Sequence, residues 1–354
     1  MKKLSTSDLE DLALGAAVLG SGGGGNPAYE LLMAKQQFED FNPAQLMSLD
    51  DLDDDALVAP IAFMGAPLVC MEKIPSGKEL IALLNMIEKI MGRAVTHLIA
   101  GEIGGANAFT PLIASAETGL PVIDADTLGR AFPELQMSSC NLKGISPSPA
   151  ILADSLGSTV VVNAKTGVDV ERFCRNTTVE MGSSAALSIY LMTGKECKES
   201  VIPGTVTKAI EIGRTMRLAK QSGFDPIKAL LKYTNGSEVG SGIITDIDQI
   251  IEDGFLKGSF SISGQNGIIK VHYQNEYLMA YDGDDVIGAT PDIIIPLEQD
   301  TGLPITSESL VYGLRVVLVV IPGPEIWKTA AGLKLVGPQY FGYGKKEITC
   351  QQIM

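Results

Sequence analysis

Histidine is scarce in this chain, with only His97 and His272 among 354 residues. A histidine-rich zinc centre therefore has no ligands within one chain, and any metal site must lean on carboxylates. The five cysteines, Cys70, Cys140, Cys174, Cys197 and Cys350, are odd in number and scattered. They show neither C-x-x-C spacing nor a disulfide framework, which points to a reducing cytoplasm. Basic residues are in deficit, 27 Lys and Arg against 42 Asp and Glu, for a formal charge of -15. That balance argues against nucleic acid or an anionic membrane surface as a partner. No Lys or Arg falls between Lys35 and Lys73, where Asp50, Asp51, Asp53, Asp54 and Asp55 cluster. This acidic run reads as a solvated excursion ahead of a buried strand. The longest apolar stretch, around 316–322, is too short to cross a bilayer, and the acidic, amphipathic N-terminus lacks a signal-peptide pattern. G-x-S-x-G, H-E-x-x-H and the Walker A lysine are missing as well. Cys140 has no histidine near it in sequence to make it a nucleophile.

Glycine is plentiful: 38 residues, beside a hydrophobic content of 45%. The length gives room for two domains with their own cores. Gly20, Gly22 and Gly25 satisfy the dinucleotide pattern G-x-G-x-x-G, with Glu39 and Asp40 near the place of a ribose-binding acid. That fingerprint needs a strand before the glycines. Here Ser7 and Glu10 form a candidate capping box, and Leu9, Leu12, Ala13, Ala16 and Leu19 make an apolar helical stripe. No nucleotide is expected. Two readings of Gly22, Gly23, Gly24 and Gly25 stand: backbone amides that meet an anion or polar ring substrate, or a helix cap followed by close backbone packing.

Strands are expected over 56–63, 94–100, 121–125 and 159–163, alternating with helices over 80–91 and 109–117. This predicts an α/β fold whose N-terminal, mainly parallel sheet is flanked by helices. A boundary near 175 would divide an N-terminal domain, 1–175, from a helical connection and β-rich α+β domain, 176–354. Helices are expected over 184–192, 206–221 and 226–232. Strands follow over 243–250, 255–263, 268–273, 277–281 and 314–321, with Asn266-Gly267 and Asp282-Gly283 as turns.

Function in a parallel sheet gathers beyond the C-terminal strand ends. Three loops there carry polar residues in apolar company: the one leading to Glu72, the one holding Glu102 and Asn107, and the one from Asp124 and Asp126 to Arg130 and Glu134. Paired acids can hold a divalent metal or divide acid and base roles. Asp124, Asp126, Glu102 and Arg130 are the candidate catalytic residues. Asp124, Asp126, Glu102 and His97 are the candidate ligands for one divalent metal ion. A core role competes at His97, and a structural ion pair with Glu134 competes at Arg130.

Several motifs together resemble a known family, the former domain of unknown function 917, named after S-methyl thiohydantoin desulfurase. They are 19–25, Met64-Gly65-Ala66-Pro67 with Glu72, Glu102 to Asn107, Asp124 to Glu134, Asn275-Glu276, Pro291-Asp292 and Phe341-Gly342-Tyr343. Leu128 departs from the pattern. The resemblance implies an α/β N-terminal domain, a β-rich C-terminal domain, and work on a five-membered cyclic amide or thioamide such as a hydantoin. It leads us to expect a hydrolase in which a carboxylate, with the metal, activates water. Arg130 or the glycine amides would stabilise developing charge. Gly22, Gly23, Gly24, Gly25, Asn107, Glu72 and Asn275 would bind substrate. The alternative is a non-catalytic, ligand-binding subunit of a hydantoinase- or oxoprolinase-like complex, and a homo-oligomer is a further candidate assembly.

Overall fold

The computed structural model describes residues 1–65, 76–265 and 267–344. Glu72, Cys70, Cys350, Asn266 and most of the turn after Met64 lie outside the described residues. The first sheet has ten strands: β1 (Lys2–Lys3), β2 (Gln45–Met47), β3 (Leu57–Gly65), β4 (His97–Ala100), β5 (Val122–Asp126), β6 (Ala150–Ala153), β7 (Thr159–Val162), β8 (Ser184–Ser188), β9 (Met192–Thr193) and β10 (Ile202–Pro203). Its main order is β1-β2-β5-β4-β3-β8-β6-β7, with β9 on β3 and β10 on β5.

The expectation of a mainly parallel sheet needs correction. Only β2, β5, β4 and β3 run parallel, whereas β8, β6 and β7 extend the sheet antiparallel. Crossovers through Lys78–Met91 and Thr110–Thr118 build the parallel part. After β5 no such crossover returns the chain, so the sheet becomes mixed. The helix expected over 184–192 is likewise a strand for its first part. Ser184-Ala185-Ala186-Leu187-Ser188 is buried throughout as β8, paired on both sides. Alanine and leucine favour a helix locally, and the two open strand edges overrule that preference.

The second sheet is antiparallel throughout. Its strands are β11 (Ser237–Glu252), β12 (Phe255–Gly264), β13 (Gly267–Gln274), β14 (Glu276–Asp282), β15 (Asp285–Ala289), β16 (Ile293–Glu298) and β17 (Arg315–Ile321). They lie in the order β15-β14-β13-β12-β11-β17-β16. One apolar core is common to both halves, taking in Leu12, Leu83 and Leu98 with Phe260, Tyr277 and Ile294.

The first helix, Thr6–Leu19, begins with a capping box of Ser5 and Asp8, two residues earlier than Ser7 and Glu10 suggested. It packs against helix Thr205–Gln221 at very close range. A methyl on Gly15 would overlap the Ala209 carbonyl, and one on Gly213 would overlap the Asp11 carbonyl. Asp11, 1% exposed, receives Nε and Nη2 of Arg217 at 2.6 and 2.9 Å across the same contact. Glycine to alanine inside a helix normally stabilises by about 1 kcal/mol. Overpacking costs about 1–3 kcal/mol, and the obstacle here is backbone, which cannot swing aside. Gly15→Ala is therefore expected to lower stability in urea unfolding; a raised midpoint would contradict the close approach.

Candidate functional site

The glycine run is a seam between the sheets. Ser21, fully buried with φ 51°, has left-handed backbone. Its carbonyl accepts from Tyr277 N at 2.6 Å, and its hydroxyl donates to Ile294 O at 2.8 Å. Gly22 O accepts from Ser307 N at 2.9 Å. On the other side Gly24 O accepts from Ala106 N at 2.9 Å. A methyl on Gly22 would strike the Tyr277 ring, and one on Gly23 would strike the Glu276 carboxyl. Gly22 and Gly23 thus take the close-packing role, while Gly24 and Gly25 reach a cavity.

That cavity, of about 150 Å³, sits beyond the C-terminal ends of β3, β4 and β5. Its apolar wall includes Ile61, Phe63, Leu128, Phe132, Leu187 and Ile189. Its polar residues include Asn26, Glu30, Glu102, Asn107, Glu134, Arg175, Asn275 and Glu276. Both sheets contribute, because Glu276 opens β14 and Asn275 directly precedes it.

Glu102 is held from both sides. Gly101 N donates to Ile61 O at 3.0 Å, and Gly101 O accepts from the Thr127 hydroxyl at 2.6 Å. Beyond it, Ile103 N donates to Asp126 Oδ2 at 2.8 Å. The Asn107 side chain then aims the carboxyl. Its Oδ1 accepts from Phe63 N at 2.7 Å, so the amide can point only Nδ2 at Glu102 Oε1, 2.7 Å away. Burial pushes the Glu102 pKa up to about 7; the Asn107 hydrogen bond opposes the rise, and the Asp126 charge adds to it. A carboxyl that titrates near neutrality in a cavity is suited to general acid-base work.

The nominated acids part company. Asp126 is wholly buried and accepts from Ile103, Leu128 and Gly129 amides. Burial raises its pKa to about 7 against those amide bonds. It does not line the cavity; it ties the Glu102 loop to the loop after β5. Asp124 faces another surface. Its carboxylate accepts from Thr207 N at 3.0 Å and the Thr207 hydroxyl at 2.5 Å. Helix Thr205–Gln221 has Gly204 as its N-cap, which has no side chain to cap with, and Asp124 supplies that acceptor. An irregularity in the β4–β5 pairing, where Leu98 matches Val122 but Ala100 matches Asp126, turns the two acids apart.

His97 starts β4, whereas Glu102 lies beyond its end, roughly 16 Å along an extended chain. Its ring nitrogen meets the Thr96 hydroxyl at 2.9 Å, and burial lowers its pKa. Asp124, Asp126, Glu102 and His97 therefore do not converge as ligands. No group of three or more His, Cys, Asp or Glu among the described residues is placed to hold an ion.

Arg130 is fully buried behind the wall. Nε donates to Ala131 O at 2.9 Å, and Nη1 donates to Pro291 O and Asp292 O at 3.0 and 2.7 Å. It stacks on Phe132 with 4.6 Å to the ring centre, and Nη2 has no partner. Burial pulls its pKa down to about 10, which leaves it cationic at neutral pH. It anchors the second sheet and does not pair with Glu134. Glu134 instead accepts from Tyr340 at 2.8 Å. Asn275, at φ 57°, receives Leu256 N on Oδ1 at 2.9 Å, leaving Nδ2 as its donor at the cavity.

Glu276, which stands beside Asn275 in the motif read from the sequence, lines the cavity with it. It is 2% exposed, Oε2 has no hydrogen-bond partner, and burial with Glu102 nearby drives its pKa well above the usual range. An acid directly before the apolar run Tyr277-Leu278-Met279-Ala280 was the available signal. Cys140, also buried, has its thiol pushed up to about 11 by burial, against a nucleophilic role.

Fold and site together define a two-domain protein with a small mixed-polarity cavity at the seam of an α/β sheet and an antiparallel sheet. The chain belongs to the S-Me-THD-like family: residues 7–164 match its N-terminal domain and 165–350 its C-terminal domain. No curated protein matches the chain. A crystal structure of a protein from Chromobacterium violaceum aligns with a TM-score of 0.78 at 23% identity, covering 94% of this chain and 95% of that one. The likeness shows a shared fold.

Asp124→Ala is expected to cost about 1 kcal/mol, the usual price of a helix cap, and leave the cavity intact. Asp126→Ala strands several buried amides, each worth about 1–3 kcal/mol, and should destabilise far more. Denaturant titration of both variants checks this; equal losses would contradict the division of roles. Because the folded pKa values of Asp126 and Glu102 are raised from 3.8 and 4.5 to about 7, their contribution to stability is fully present below pH 4 and lost as pH rises through 7.

Proposed function

We propose that this protein is a hydrolase of a five-membered cyclic amide or thioamide, of the hydantoin or S-methyl thiohydantoin kind, with Glu102 as the general base. The single observation carrying this is the cavity carboxyl whose titration near neutrality and Asn107-fixed direction suit it to taking a proton from water. An apolar cavity of about 150 Å³ takes a benzene-sized ring, so a five-membered heterocycle matches the volume here. Asn275 Nδ2 donates to a ring oxygen, and the side-chain-free edge at Gly24 and Gly25 lets the ring lie against backbone. Arg130, behind the wall, contributes a fixed positive charge that favours negative charge developing at the ring. Asp126 acts as a positioning residue for Glu102. The four nominated metal ligands do not converge, so no step is routed through an ion.

Glu102→Gln should reduce kcat/KM for hydantoin or S-methyl thiohydantoin by about 10²–10⁴-fold with unchanged circular dichroism. The base acts ionised, so wild-type kcat/KM should fall as pH drops through about 7. Unaltered turnover in the variant removes Glu102 from the chemistry.

A second reading, an accessory subunit docking on a hydantoinase-like partner or on a second copy, has one observation in its favour. Ile243, Ile250 and Ile251 of β11, with Ile268 of β13, are all exposed. Light scattering of the purified chain, alone and after addition of a hydantoinase, separates this reading from the catalytic one.

A further inference from the structure

Resting on the reading of the cavity as a ring-binding site, we propose that Glu276 serves it as a neutral hydrogen-bond donor, so that the site takes uncharged ligands bearing a carbonyl or thiocarbonyl and turns carboxylates away. Three observations carry this. Glu276 is buried at the cavity, and Oε1 lies against Gly23 in space that a methyl would fill. Oε2 is buried and has no hydrogen-bond partner. A buried oxygen without a partner is costly as an anion; as an O–H it donates to an acceptor atom of the ligand.

The charges around the cavity point the same way. Glu30, Glu102, Glu134 and Glu276 line it, and Glu30 Oε2 also lacks a partner. Arg175 is the one cation lining it among the described residues. Its guanidinium is already engaged by Glu171, by Pro133 O at 3.2 Å and by the Phe255 ring at 3.9 Å. Arg130 stands behind the wall with two of its three nitrogens on backbone carbonyls. An arriving carboxylate meets glutamates, and the one cation lining the cavity among the described residues is already engaged. A neutral lactam can instead accept from Glu276 and donate its N–H to ionised Glu102. Ring opening would convert such a neutral ligand into an anion that the same residues repel, which makes hydrolysis the direction of ready product release.

Two readouts test this without turnover. Infrared difference spectra between wild type and Glu276→Gln at pH 7 should show loss of a protonated-carboxyl band; loss of a carboxylate band alone overturns the proposal. Gly23→Ala, which displaces Glu276 without changing charge, should shift that band, and an unmoved band overturns the assignment. By calorimetry, hydantoin should bind wild type at least about tenfold more tightly than N-carbamoylglycine, its ring-opened product. Hydantoin that does not bind, or N-carbamoylglycine that binds as well, overturns it. Hydantoin that binds without being hydrolysed sinks the hydrolase reading and leaves this one standing.

Discussion

From Gly20 to Gly24 the backbone passes through a space too narrow for side chains, with Ser21 as the lone exception and its hydroxyl bonded to β16. One side of this segment hydrogen-bonds to Tyr277 and Ser307, the other to Ala106. The two sheets can approach only because nothing projects between them. That approach brings Glu276, from the second sheet, to a cavity also lined by Glu102, from the first. A methyl at Gly23 alone would occupy the position of the Glu276 carboxyl. Entropy lost in ordering four adjacent glycines is offset by a core common to both halves, extending from Leu12 to Phe260.

Around that seam the carboxyls divide into two kinds of work. Asp124 and Asp126 are satisfied by backbone amides and hydroxyls, and they hold a helix start and a loop. Glu102 and Glu276 are left with raised proton affinity where a ligand can reach them. The first pair orders the frame that holds the second pair at the cavity. Arg130 belongs to the frame as well, since its hydrogen bonds run to the carbonyls of Ala131, Pro291 and Asp292.

Much of the frame was legible in the residues. The helix ahead of the glycines is there, over Thr6–Leu19, and strands over 57–65, 122–126 and 159–162 stand close to their expected places. Periodicity captures such features because it is local. The direction of β8 was not local: Ala185, Ala186 and Leu187 form a strand because β3 and β6 leave room for one. Likewise, Asp124 and Asp126, two residues apart on a strand, should share a face, and the irregular β4–β5 register separates them. Glu102 and Asn107 were identifiable because polar residues among glycines beyond a strand end have few structural duties. Glu276 was harder, since its meaning depends on a glycine more than 250 positions away.

The account stands or falls on where a small ring settles. A crystal of the protein soaked with hydantoin reads this directly. The structure predicts ring density between Glu102, Asn275 and the Gly24–Gly25 edge, with Glu276 Oε2 within hydrogen-bonding distance of a ring oxygen. Density confined to the hollow beside Asp124 and Thr207, with the cavity at the seam left to solvent, would contradict it.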